Sequence, residues 1–215
     1  MAQASSTRPT RADAERNRRR VLDAAARVFA ERGAAATLND VARVAGVGVG
    51  TVYRKFPDKE AMLDALFDNK IDALVRLADE AASVENAGTA LRGFLLGLME
   101  MRATDRGLDA ILMAPGRSAR FSQALSRHFA PTVDRLVARA ISAGELRPDF
   151  IGQEVCLLGF MVGKVADITR STDPDAWRRY AQLLVDGIRP SAGTQPLSPA
   201  PLSFTDIAAA LGRAT

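Results

Sequence analysis

Between residues 48 and 59 the chain gathers Thr51, Tyr53, Arg54, Lys55 and Lys59, side chains that donate hydrogen bonds or carry positive charge, around Gly48 and Gly50. Donors crowded into two helical turns, with glycines that let another backbone come close, suit a phosphate polyanion and the hydrogen-bonding edges of bases. Catalysis has no comparable signal. The chain has one histidine, His128, with no recognisable orienting partner, and one cysteine, Cys156, in an apolar run. A zinc site needs several such ligands, and a nucleophile needs a base within reach. No phosphate-binding glycine loop follows a strand-like segment. The residues therefore predict no enzyme, no metal and no cofactor.

These donors need a scaffold, and residues 37–60, TLNDVARVAGVGVGTVYRKFPDKE, supply one. Thr37 precedes an apolar-periodic run and has Asp40 three residues on, so its hydroxyl can accept a first-turn N–H while the acid favours the positive helix end. Val41, Ala42 and Ala45 follow at helical spacing, and Gly46 stands where a turn requires positive φ. The pattern predicts one helix from Leu38 and a second over about 49–56. Ala42 is small where the two must approach, and Val52, ten residues later, plugs the angle between them, which is helix-turn-helix spacing. Gly50 and β-branched Val49, Thr51 and Val52 are mediocre helix formers, so the second helix answers to something other than intrinsic stability. Such a helix fits a DNA major groove. The plainer reading is a helical hairpin with basic residues on a solvated face. Pro57 then blocks further helix, Asp58 is placed to cap the next one, and Lys59 opens a long amphipathic run.

The string GVGVGTVYRKFPDKEAML, residues 46–63, closely resembles the DNA-binding motif of the tetracycline-repressor (TetR) family of bacterial transcriptional regulators. In that family the Gly-Thr-hydrophobic-Tyr segment is the recognition helix, and Phe-x-x-Lys-Glu opens the helix that leads to a ligand-sensing body. The resemblance implies an all-α chain: an N-terminal three-helix helix-turn-helix DNA-binding domain plus a larger C-terminal helical ligand-binding and dimerisation domain. It puts Thr37, Tyr53 and Lys59 on phosphates, and Gly50, Thr51, Arg54 and Lys55 at or near base edges, with Gly48 at the opening of the recognition helix. Many relatives carry a Lys or a small polar residue where this chain has Val49. A valine cannot hold phosphate through its side chain, but it can touch a thymine methyl. A softer likeness to one TetR branch extends through an RGL segment, a GELRPD loop and an RRY…LLVDGIRP ending, here residues 106–108, 144–149 and 178–190.

The 215 residues, 47% of them hydrophobic, suffice for a small and a medium domain. Through residue 60 there are 12 Lys or Arg against 7 Asp or Glu, and beyond it 17 against 18, so the positive excess sits with the proposed DNA module. The lone cysteine fits a reduced compartment, and neither a membrane span nor a secretory signal is visible, which predicts a cytoplasmic protein that does not engage membranes. Residues 1–12 read as a disordered arm and 13–58 as the DNA-binding domain. In the latter's first helix Val21, Leu22, Ala25, Val28 and Phe29 form a stripe behind the Arg cluster at 16–20. Residues 59–190 read as the helical body, opened by a linking helix at 59–82, and 191–215 as a Pro-rich tail with Ile207 available to dock. A short helix is expected within 105–116, a helix over 118–142 kinked or broken at Pro131, and Asp149 as the cap of the helix after it.

The family resemblance implies a small-molecule cavity among the middle helices, for which the sequence offers Phe94, Leu98, Met101, Leu112, Phe121, Leu125, Phe129 and Met161 as lining, with Arg102 and His128 as the nearby polar groups. Gly159 and Gly163 share a face that permits close approach of another helix, and Trp177, Ala181, Leu184 and Ile188 form a stripe. Helices apolar on two sides must be covered twice, which predicts a homodimer. A dimer with two recognition helices would bind double-stranded DNA at a palindromic operator. The expectation is a ligand-responsive repressor released by a small, mostly apolar effector; the alternative is a constitutive or protein-partnered DNA-binding regulator without one.

Overall fold

The computed structural model describes residues 11–105, 120, 123–191, 193, 195–203 and 206–207. The described residues hold helices and no strand. Most of the expected N-terminal arm, the short helix expected after Asp105, and the last residues of the tail lie outside them. The chain divides into two compact units between Asp68 and Asn69.

In the first unit, α1 (Arg11–Arg32) buries Val21, Leu22, Ala24, Ala25, Val28 and Phe29, the three-four stripe of the sequence. It ends at Gly33, in the left-handed region with φ 52°, which opens a 3-10 turn, Gly33–Ala35. Next come α2 (Leu38–Ala45) and α3 (Val49–Lys55), both packed as the sequence predicts: α2 lies against α1 and α3 against α2. Gly46 has φ 63°, its N–H donates to the carbonyls of Ala42 and Arg43, and the Val47 N–H reaches back to Ala42 at 3.1 Å. This left-handed stop satisfies the last carbonyls of α2 while reversing the chain. The Asp58 carboxylate accepts the Ala61 N–H at 2.8 Å and so caps α4 (Lys59–Ala82). Met62, Leu66 and Phe67 are buried, which gives the opening turns of α4 to this unit; the division falls inside α4, beyond the boundary read at residue 58.

The second unit contains the rest of α4, α5 (Ala87–Thr104), α6 (Ala130–Ser142), α7 (Glu154–Thr169) and α8 (Trp177–Gly187). Asn86 caps α5 through the Thr89 N–H at 2.8 Å. α5 is the hub, packed on α6, α7 and α8. The helix expected to kink or break at Pro131 instead runs on through a π segment: residues Leu125–Phe129 form a π turn in which the Ala130 N–H reaches back to the Leu125 carbonyl, and Pro131 sits in the first turn of α6. Lacking an N–H, proline is tolerated there and not deeper in.

Polar contacts tie α4 to its neighbours in this unit. Lys70 pairs with Asp105 at the end of α5, and the Thr132 hydroxyl donates to Asp79 at 3.4 Å. The Arg139 guanidinium donates to the carbonyls of Ala82, Val84 and Glu85 at 3.1, 2.7 and 2.8 Å, closing the end of α4. A Cβ on Gly97 would stand 2.9 Å from Leu77 Cδ1, so α5 approaches α4 closely at that point.

Asp149 does not cap the following helix. It accepts Arg147 in a bidentate pair, 2.6 Å from Nε and 2.9 Å from Nη2, and the Leu197 N–H at 2.7 Å, while Glu154 accepts the Ile151 N–H at 2.9 Å. Arg147 also donates to the Gln195 carbonyl at 2.8 Å, so the GELRPD loop clasps the start of the tail. The Arg147 hydrogen bond foremost, then that of Leu197, holds the Asp149 carboxyl at about 2. Farther along, Ser203 and Asp206 cap each other's backbone and Ile207 is buried.

Gly46→Ala would place a Cβ in open space but force an L-residue into the left-handed region, at a cost of about 1–2 kcal/mol. Thermal unfolding followed by circular dichroism should show a melting temperature lower by about 2–8 °C.

Candidate nucleic-acid interface

Two hydrogen-bonded devices hold α2 in shape, the Gly46 stop at its end and a reciprocal box at its start. The Thr37 hydroxyl accepts the Asp40 N–H at 3.2 Å, and the Asp40 carboxylate accepts the Thr37 N–H at 3.2 Å, a reciprocal capping box. Arg32 and Arg43 also donate to Asp40, at 2.8 and 3.2 Å. The Thr37 hydroxyl hydrogen goes to Asp40 Oδ2 at 2.7 Å. A hydroxyl has one hydrogen to give. In this arrangement Thr37 sets the start of α2, and its hydrogen is not turned outward toward a phosphate.

α3 is a seven-residue helix with Gly48 as its N-cap, and Val52 is its one buried residue. Thr51 and Lys55 are half-buried, while Val49, Gly50, Tyr53 and Arg54 are exposed; at about 100° per residue Val49 and Lys55 stand about 60° to either side of Val52, and Gly50 and Arg54 lie opposite it, on the outermost face. Val49 and Tyr53 are 44% and 46% exposed. Thr51 and Arg54 are joined, with Arg54 Nη2 3.3 Å from Thr51 Oγ1. Lys59, at the start of α4, has its ammonium 5.4 Å from the centroid of the Phe29 ring, and Arg18 of α1 stands 5.5 Å from that of Phe56. The face thus offers a phenol, a guanidinium, an aliphatic contact and a glycine gap, a combination that can engage base edges and backbone together. Val44, also exposed, was not singled out in the sequence, where it reads as one more apolar residue of α2.

The model described as bacterial regulatory proteins, tetR family, matches residues 21–66, and that of the C-terminal domain of SbtR-like transcriptional regulators matches residues 86–190. The HTH-type transcriptional regulator TtgR of Pseudomonas putida is 31% identical over 155 residues, spanning 65% of this chain and 72% of the relative. The chain belongs to the TetR family. Like the family, it is a DNA-binding transcriptional regulator with an all-helical fold. The transcriptional repressor KstR of Mycolicibacterium smegmatis is 31% identical over 143 residues, 64% of this chain and 69% of that protein. A solved TetR regulator from Mycobacterium vanbaalenii, also 31% identical, superposes with a TM-score of 0.62 across 84% of this chain and 99% of its own.

In the body of this TetR protein the residues read as cavity lining divide. Phe94, Leu98, Leu125 and Phe129 are buried, with the Phe94 and Phe129 rings 5.8 Å apart, and Met101 is half-buried. His128 and Met161 are exposed on the chain, because the π turn carries His128 to the outer side and Met161 lies opposite the α5-facing side of α7; neither joins that interior group. Leu112 and Phe121 lie outside the described residues. Arg102 is buried, its guanidinium 3.9 Å from the centroid of the Phe160 ring. Burial lowers its pKa to about 10 and pushes the neighbouring Cys156 thiol up to about 11, which keeps that cysteine a neutral core residue at ordinary pH. At the other end of α5 a cleft of about 240 Å³ opens between Leu91, Arg92, Leu95, Leu146, Val185 and Ile188.

The residues read as a subunit interface turn largely inward. Gly159 and Gly163 face α5 of the same chain: added Cβ atoms would stand 3.5 Å from Leu98 and 3.4 Å from Arg102. Trp177 and Ala181 are buried in the unit's own core and Leu184 and Ile188 are half-buried. The outward apolar side chains are Met161 and Ile168 on α7 and Tyr180 and Leu183 on α8, with exposures from 44% to 68%. Among the described residues no helix is long and apolar enough to cross a membrane, and no cluster of His, Cys, Asp or Glu is arranged for a metal ion.

The Asp40 carboxyl is held below the usual carboxylate range, chiefly by the Thr37 hydroxyl and then by Arg43 and the Thr37 backbone, against desolvation. A depressed folded-state pKa stabilises fully above the unfolded value, about 4, and the benefit fades as pH falls toward the folded value. Acid titration followed by circular dichroism should therefore show Asp40→Asn less stable than the parent at pH 7, with the gap narrowing below about pH 4.

Proposed function

We propose that this protein is a homodimeric repressor that reads a palindromic operator through α3 and releases it when a small, mostly apolar molecule binds the helical body. The exposure of Val49, Gly50, Tyr53 and Arg54, on a helix anchored by buried Val52, supports the DNA-reading part. Repression is supported by the similarity to KstR, a transcriptional repressor. Dimer formation is supported by the four outward apolar side chains of α7 and α8, the two helices whose other sides fill the chain's own core. Release would act through α4, the described helix that belongs to both units. A ligand that shifts operator affinity must bind the DNA-incompetent arrangement better than the competent one.

The second reading, a constitutive or protein-partnered regulator, draws on the tight packing of Phe94, Leu98 and Phe129. A gel-shift titration separates the two: operator affinity that falls with a small molecule bound by the purified protein supports effector control, and indifference to every molecule that binds supports the second reading.

Selection of bound duplexes from a random pool by the purified full chain should recover a two-fold symmetric motif. Arg54→Ala should relax base preference at one position per half-site and weaken binding by about 10–100-fold for each lost bidentate contact to guanine. Weak binding that merely tracks salt, with no motif, would overturn sequence-specific readout.

In a two-fold dimer each substitution is felt twice. Leu183→Asp should raise the dimer dissociation constant by at least about 100-fold in analytical ultracentrifugation, since burying a leucine side chain is worth about 1.5–3 kcal/mol. Helicity should stay intact. Trp177→Ala, by contrast, should lower thermal stability.

A further inference from the structure

We infer that Val49 is a specificity-determining residue that recognises a thymine by its C5-methyl group, once in each half-site; this rests on the DNA-reading role proposed for α3. Val49 is a β-branched aliphatic residue at the first position of a short helix, 44% exposed, and it takes no part in the core, which α3 enters through Val52. A valine there is poor for helix propensity, and it leaves close to half of an apolar side chain in water.

Its neighbour Gly50 adds a second observation. A Cβ on Gly50 would meet nothing within 4 Å on this chain, so the fold has room for a side chain that the sequence omits. Glycine inside a helix is less stable than alanine, and what its absence of side chain gives is clearance for another surface. Val49 is exposed on one flank of α3, with Tyr53 one turn along on the same flank, and the bare Gly50 position lies next to it toward the outermost face, with Arg54 one turn along from Gly50. On the major-groove edge of a base pair the apolar feature is the thymine methyl; the other marks are hydrogen-bond donors and acceptors that a valine cannot address. The γ-methyl groups of Val49 therefore select thymine, with Tyr53 one turn along on the same flank.

The test removes the methyl from the DNA without altering base pairing. The operator is first recovered by selection with the full-length protein, and each thymine in it is then replaced, one position at a time, by deoxyuridine. The parent protein should lose about four-fold in affinity for one thymine per half-site, the effect expected for one buried methyl-sized group, and about 15-fold when both symmetric positions are changed. Val49→Ala should fold at least as well, since alanine is the better helix former, and should bind thymine and deoxyuridine operators within two-fold of each other. Deoxyuridine tolerated at every position by the parent overturns the inference. So does a deoxyuridine penalty that persists unchanged in Val49→Ala, which would assign the methyl contact to another side chain such as Tyr53. If selection yields no operator, the sequence-specific role of α3 fails first, and this inference with it.

Discussion

A helix of seven residues cannot hold itself together in water, and α3, with a glycine and three β-branched residues in it, is weaker than most of its length. It exists because Val52 is seated behind it and because α2 presents it at a fixed angle. That angle depends in turn on the Thr37–Asp40 box at one end of α2 and on left-handed Gly46 at the other. Neither device touches the outward face. Support and exposed surface thus fall to different residues: Val52 is buried and Thr51 and Lys55 are half-buried, while Val49, Gly50, Tyr53 and Arg54 are exposed.

This separation explains why so much of the first unit was legible in the sequence. A cap, a positive-φ glycine and a helix stop are local, because each is fixed by residue types within a few positions of one another. Thr37, Gly46 and Asp58 could be read this way, and in the second unit Pro131 announced a disturbance of its helix even though the π turn that realises it has no signature of its own. Roles within the readout helix were less legible. Thr51 and Lys55 looked like outward donors in a string of donors, yet both are half-buried, and the Thr37 hydroxyl donates to Asp40.

The second unit was harder to read for a different reason. α7 and α8 carry apolar residues on two sides, and a periodic stripe says that a side is buried without saying by what. The glycines of α7 do permit close approach, but of α5 in the same chain, with the buried Arg102 lying against them. The stripe of Trp177 and Ala181 fills the core, and the complementary one at Tyr180 and Leu183 is left outside. The role of Asp149 was hidden similarly: its partner Arg147 is two residues away across a proline, and the tail backbone it also holds is distant in sequence.

What α4 experiences inside the second unit bears on how control could reach the DNA-reading face. Apolar packing tolerates sliding, but hydrogen bonds and ion pairs are narrow in distance and angle. α4 is held by such contacts at Lys70 to the end of α5, at Asp79 to α6, and at its C-terminal carbonyls to Arg139 of α6, with Gly97 of α5 pressed against Leu77 between them. A rearrangement of α5 or α6 therefore either carries α4 along or breaks these ties. A 100-fold fall in operator affinity corresponds to about 2.7 kcal/mol, within the usual range of coupling between two sites. A few directional contacts of this kind, each worth on the order of 1 kcal/mol, are enough to transmit it. Coupling on that scale needs no large motion, only two arrangements of α5 and α6 that cannot both satisfy the same three anchor points on α4.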